Sequence, residues 1–175
     1  MNSQDLTDEE LMQRVQAGDA VSYQALFDRH NRAVYGFLLR STGQPEHAAE
    51  LFQDTWLKVH RARQTWNADQ RFRPWLFGIA ANTRRDAARR AGRQVATVEL
   101  TESPAPSARP AVQLTLERAI TALPEQLREA FLLGAVHGFD HNEVADQLGI
   151  SPDNARARIS RARATLRKAL GVEGS

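Results

Sequence analysis

The chain has 175 residues, 42% of them hydrophobic, and a formal charge of +2 at neutral pH. That is enough apolar material for a packed core, which excludes wholesale disorder. Cysteine is absent, which excludes disulfides, thiolate metal sites and a cysteine nucleophile. No apolar run approaches membrane-spanning length and the acidic amino terminus is no signal peptide, so the expected compartment is the cytosol, without membrane insertion.

The small net charge hides a segregation. Residues 1–50 hold four basic and eight acidic side chains, residues 51–97 ten and three, residues 98–150 three and eight, and residues 151–175 six and two. Two separate basic segments point to two contacts with a polyanion rather than one diffuse basic surface.

In chain order, Thr7-Asp8-Glu9-Glu10 predicts a capping box opening a short helix that buries Leu11 and Val15 and ends at Gly18. A second helix is predicted from Asp19, with Tyr23, Leu26, Phe27, His30, Val34, Phe37 and Leu38 repeating at helical spacing. His30 on that stripe suits a core or edge histidine. Gly43-Gln44-Pro45 breaks it. A third helix follows from about Glu46 to Arg63, with Ala48, Leu51, Phe52, Thr55 and Val59 inward. Its Gln53, Asp54 and Trp56 do not fit one buried face, which leaves a polar-aromatic patch for a partner. Gln64 to Arg71 reads as a loop. The fourth helix, roughly Pro74 to Ala91, buries Leu76, Ile79 and Thr83.

That fourth helix combines rings and charge. Phe72-Arg73-Pro74-Trp75-Leu76-Phe77 leads to Asn82 and then to Arg84, Arg85, Arg89, Arg90 and Arg93. Exposed bases stack on rings while a cationic groove follows the backbone, so this pattern suits single-stranded or melted DNA. Trp75 is equally explicable as core. Seven basic residues between Arg71 and Arg93 would repel one another without a polyanion.

From Glu99 to Pro110 the chain has no helical period and carries three prolines, the signature of a flexible linker. A second helical unit begins near Ala111, with Leu114, Leu116, Ala119, Ile120 and Leu123 as apolar positions. Asp140 and Glu143 form a second capping box, Val144, Ala145 and Leu148 give a small apolar face, and Gly149 stops the helix. Ser151-Pro152 then reopens one, serine as N-cap and proline at the first helical position. A short helix, a glycine turn and a capped helix make a helix-turn-helix.

In the second of those helices, Ala155, Ile159, Ala162, Leu166 and Ala169 fall within about 40° of one line at 100° per residue. Ala157, Ser160, Arg161, Ala164 and Lys168 lie opposite, with Arg156, Arg163 and Arg167 on one flank and Arg158 on the other. Small outward residues allow close approach to a surface, and arginines suit phosphates and guanine edges. His137 and His141 straddle Gly138 without a third ligand nearby, so neither a metal nor any other cofactor is expected. No nucleophile–base grouping, phosphate loop or paired-carboxylate pattern stands out, and no enzymatic activity is expected.

Two blocks carry a resemblance to a known family. AAELFQDTWLKVHRAR with FRPWLFGIAANTRRDAARR is similar to the sigma-two domain of the bacterial extracytoplasmic-function sigma factors, small members of the sigma-seventy family. LPEQLREAFLL, GFDHNEVADQLGIS and ARARISRARATLRKAL are similar to that family's sigma-four helix-turn-helix. The resemblance implies an all-α chain of two small helical domains, residues 1–95 and 112–175, joined by a flexible linker over 96–111. It implies docking on core RNA polymerase, at its clamp and flap regions, with Leu51, Gln53, Asp54, Trp56 and Leu57 on the clamp. The promoter's minus-ten element would be opened and held by Arg71, Phe72, Arg73, Trp75, Asn82, Arg85, Arg89 and Arg90. The minus-thirty-five element would be contacted by Asn154, Arg156, Ala157, Arg158, Ser160 and Arg161. An anti-sigma factor is a further implied partner. The chain departs from the family pattern at Asp140-His141, Asn154-Ala155 and Ala157, which bears on its minus-thirty-five preference. A helix-turn-helix regulator acting without polymerase is the alternative, but it would need a ligand pocket or a dimer helix where this chain offers a basic-aromatic one.

Overall fold

The computed structural model describes residues 5–93 and 111–172, and its regular structure is helical throughout. The expected linker Glu99–Pro110 lies outside the described residues, as do the side chains of Arg93 and Leu114. The helices are α1 (Asp8–Gln16), α2 (Ala20–Thr42), α3 (Pro45–Ala62), α4 (Phe72–Arg93), α5 (Ala111–Thr121), α6 (Glu125–Phe131), α7 (His141–Leu148) and α8 (Pro152–Ala169).

Local chemistry sets the ends. Thr7 accepts from the Glu10 amide at 3.2 Å while the Glu10 carboxylate accepts from the Thr7 amide at 2.7 Å, so two free donors are satisfied reciprocally. Asp19 caps α2, which ends at Gly43 with φ 69°, a left-handed conformation that glycine adopts without penalty. A single 3-10 turn over Arg63–Thr65 closes α3. The following segment is less open than its composition suggested, because Trp66 is buried there. Gln16 donates to the carbonyls of Arg63 at 2.9 Å and Trp66 at 2.8 Å, binding this segment to α1. Helix α4 starts at Phe72, two residues earlier than expected, because the Glu9 carboxylate accepts from the Phe72 amide at 2.9 Å. A long-range cap of this kind has no local signal.

The four N-terminal helices close on Leu11, Met12, Leu26, Val34, Leu38 and Leu76. In the second unit α6 runs into a π-helical turn, Leu132–Val136, and packs across α8. A Cβ on Gly134 would lie 2.5 Å from Ile159 Cδ1, so any side chain there would force Ile159 to shift. Ala155, Ile159, Ala162 and Leu166 are buried as their spacing predicted, while Ala169 at the fraying end is exposed.

The two units lie against each other and share a continuous apolar core. Helix α4 packs on α7, and α2 on α5 and α6. At the seam His137 stacks near Phe77, with ring centroids 4.7 Å apart, and Phe139 meets Phe77 at 5.2 Å. Arg128 donates to the Ser41 carbonyl at 2.6 Å.

Candidate nucleic-acid interface

Helix α4 and the residues before it carry the first cationic surface. Gln70, Arg71, Pro74, Trp75, Gly78 and Ile79 line one side of a cleft of about 400 Å³. Trp75 and Ile79 give it an apolar part that includes a ring, the kind of surface on which a base stacks. Further along α4, Asn82, Arg89 and Arg90 are exposed. Arg89 pairs with Asp86, a contact within one turn that leaves the guanidinium at the surface.

Other members of the expected set face inward. Phe72 is fully buried and belongs to the core rather than to a DNA surface. Arg73 lies over the Phe139 ring at 4.7 Å and the Phe77 ring at 5.4 Å, a cation–π arrangement across the seam. Burial, then the neighbouring Arg71, pulls its pKa down. Arg84, part of the arginine run, is 6% exposed. It binds Glu125 at 2.7 Å and lies 3.4 Å from Glu129. The Arg84 hydrogen bond holds the Glu125 carboxyl below its usual range, whereas burial pushes Glu129 up against the pull of Arg84 and Arg85. Arg85 donates to the carbonyls of Gln147 at 2.7 Å and Leu148 at 3.0 Å, and to Asn82 Oδ1 at 2.6 Å. Apart from Asn82, these partners lie far off in sequence. The single hint was Glu125 and Glu129, one turn apart on one helix, making an anionic edge that had to meet something.

Helix α8 carries the second surface. Ser151 accepts from the Asn154 amide at 3.2 Å and fixes the first turn. Asn154, Arg156, Ser160 and Arg161 point to solvent, with Ala157 and Arg158 partly covered. Arg158 Nε donates to Asn154 Oδ1 at 3.1 Å, so these two candidates act as one unit. The face is narrow and cationic, with Ala157 and Ser160 as small residues between its arginines, which suits insertion into a major groove.

The expected polymerase set on α3 divides. Gln53, Asp54 and Leu57 are exposed, Leu57 at 53%, whereas Leu51 and Trp56 are buried. Trp56 sits among Tyr23, Phe27 and Phe52, with the Phe27 centroid 5.0 Å away. The Tyr23 hydroxyl donates to the Trp56 carbonyl at 2.9 Å. Leu51 and Trp56 therefore shape the exposed edge from beneath. His137 and His141 also part company: the first is lodged in the seam and the second is exposed. Among the described residues no group of three or more His, Asp or Glu side chains could hold a metal ion.

A helix-turn-helix with an exposed cationic face, joined to a helical unit with an arginine-rich aromatic helix, defines the architecture of a DNA-binding protein. The model of sigma-70 region 2 matches residues 26–94 and that of sigma-70 region 4 matches residues 113–166. The chain is 38% identical to RNA polymerase sigma factor CarQ of Myxococcus xanthus over 91% of its length and 95% of the relative's. It is 29% identical to ECF RNA polymerase sigma factor SigM of Mycobacterium tuberculosis (strain ATCC 25618 / H37Rv), covering 94% of this chain and 85% of the relative. A structure of CnrH in complex with the cytosolic domain of CnrY superposes with a TM-score of 0.70 at 28% identity, over 95% of this chain and 99% of that one. The chain belongs to the sigma-70 family of RNA polymerase sigma factors, in its extracytoplasmic-function group. It is an alternative sigma factor, working with RNA polymerase in transcription initiation.

Proposed function

We propose that this chain gives core RNA polymerase its promoter specificity through a two-point grip, its two units corresponding to residues 1–95 and 112–175. Arg71, Trp75, Asn82, Arg85, Arg89 and Arg90 hold the opened minus-ten strand, with one extruded base in the cleft beside Trp75 and Ile79. The unstacking that extrusion costs is offset by ring stacking and by backbone contacts to the arginines. Phe72 and Arg73 support this surface from within. Asn154, Arg156, Ala157, Arg158, Ser160 and Arg161 lie in the major groove of the minus-thirty-five element. Gln53, Asp54 and Leu57 meet the polymerase clamp, positioned by Leu51 and Trp56. The second unit meets the flap region, and the linker over 96–111 crosses the polymerase between them.

The single observation that carries this reading is the pairing of two distinct cationic helices, α4 and α8, of which α4 carries Trp75 and Ile79 on the lining of a cleft of about 400 Å³. A regulator that only docks on duplex DNA has no use for that cleft. The protein performs no covalent chemistry of its own and works in the cytosol; among the described residues no helix is long and apolar enough to cross a membrane. An anti-sigma polypeptide is a fitting partner, since the similar protein CnrH is solved with the cytosolic domain of CnrY. Co-purification with core polymerase tests the polymerase half of this reading. Retention with Gln53, Asp54 and Leu57 intact, and its loss in Asp54→Arg, is the expected result. No retention of the unaltered chain would contradict it.

A further inference from the structure

We propose that α1 is the positioning element of the strand-holding surface. Through Glu9 and Gln16 it fixes both feet of the exposed arch 67–71, and so sets which base the Trp75 cleft accepts. The proposal rests on the minus-ten assignment above. Gln70 and Arg71, the last two residues of the arch, line that cleft beside Pro74 and Trp75. At one foot, Gln16 Nε2 donates to the carbonyls of Arg63 at 2.9 Å and Trp66 at 2.8 Å. The Gln64 side-chain amide returns a bond to the Gln16 carbonyl at 2.9 Å. At the other foot, the Glu9 carboxylate accepts from the Phe72 amide at 2.9 Å. Trp66 and Phe72 are buried at the two feet, while residues 67–71 between them are exposed.

The side chains of Gln16 and Glu9 hold backbone atoms of the segment, so they fix its path and leave its own side chains to face a ligand. The two stand seven residues apart on one face of α1, two turns or about 10 Å along the axis. Helix α1 is itself held firmly. Leu11, Met12 and Val15 are buried, and the Asp8 carboxylate lies 3.0 Å from Arg29 Nη1 and 2.7 Å from His30 Nε2, both on α2. It therefore acts as a ruler for the span between the feet. The crest of the arch is shaped locally. Asn67 Oδ1 accepts from the Asp69 amide at 3.1 Å, and the Asn67 carbonyl accepts from the Gln70 amide at 2.9 Å, a turn that asparagine favours. An arch ordered before the strand arrives needs little further ordering on capture. Polar groups held in one place also reject a base whose own polar atoms lie elsewhere.

The test uses the full chain with the host's core polymerase and a promoter fragment at which the chain directs a start. One pool of templates is randomised in the downstream motif and a second in the upstream motif, and sequencing of the transcribed templates gives the base preference at each position. Gln16→Glu turns an oxygen onto the Arg63 and Trp66 carbonyls in place of a donor, and Glu9→Ala removes the acceptor at the other foot. Each is expected to reduce the preference at one downstream position about tenfold, the discrimination that one well-placed base contact gives. Preference in the upstream motif should stay within about twofold, as for a distant, independent site. Glu9→Gln keeps an acceptor for the Phe72 amide and should restore the preference that Glu9→Ala loses. Unchanged downstream preference in either Gln16→Glu or Glu9→Ala overturns the proposal. So does an equal fall on every template, the result that mere loss of folded protein would give. If the unaltered chain shows no preference in the downstream motif, the minus-ten assignment fails instead, and the role of α1 falls with it.

Discussion

At residue scale, the most exposed test of base contact is Arg161, which projects from α8 without a side-chain partner in its own turn. Arg161→Ala should weaken binding to a duplex selected by the protein from a random pool by about 1–3 kcal/mol. The same loss on scrambled duplex would make it a phosphate contact. Gly134 tests packing. Gly134→Ala drives a methyl to 2.5 Å from Ile159 Cδ1, and overpacking of this kind destabilises by about 1–3 kcal/mol. Adding Ile159→Val removes the clashing methyl, so the double variant should unfold closer to the unaltered chain in urea. His137 gives a pH dependence. Its ring lies against Phe37 and Phe77, with Arg73 and Arg40 as the charges that bear on it. Burial first, then these guanidiniums, lowers its pKa from 6.5 to about 4. Above pH 6.5 the ring is neutral in both the packed and the released state, so stability is flat there. Between 6.5 and about 4 the released ring gains a proton that the packed ring refuses, and the seam loses on the order of 2–3 kcal/mol. His137→Phe should show a shallower fall in melting temperature from about pH 7 to about pH 4.5; equal slopes would contradict this placement.

At the scale of elements, what could be read beforehand was whatever is encoded within a few residues. The capping boxes Thr7–Glu10 and Asp140–Glu143, the left-handed stops at Gly43 and Gly149, and the Ser151-Pro152 start all stand where their chemistry demands. Asp140→Ala removes the acceptor for the Asn142 and Glu143 amides and should cost about 1 kcal/mol in urea unfolding. The α8 stripe was equally legible, because burial of Ala155, Ile159 and Ala162 follows from spacing alone. Facing was not. Trp56, Trp66 and Phe72 are large rings beside polar or charged neighbours, and whether such a ring stacks on a ligand or fills a core depends on a distant element. Phe72 was assigned to DNA and lies in the core, because Glu9 draws the start of α4 onto α1. Arg84 looked like one more phosphate ligand until α6 brought Glu125 and Glu129 to it.

At the scale of the whole molecule, two helical units were foreseen and their contact was not. No periodicity reports that α7 lies on α4, since the pairs Arg71–Glu143 and Arg85–Gln147 join residues far apart in the chain. That contact ties the helix-turn-helix to α4. The central claim, that this chain directs polymerase to promoters by gripping two elements at once, is most directly tested by mapping transcript starts made on genomic DNA by the host's core polymerase with and without it. Starts are expected to appear at new positions, each preceded by two short motifs at fixed spacing, and to vanish with either Trp75→Ala plus Arg85→Ala or Arg156→Ala plus Arg161→Ala. Starts identical to those of core polymerase alone would contradict it.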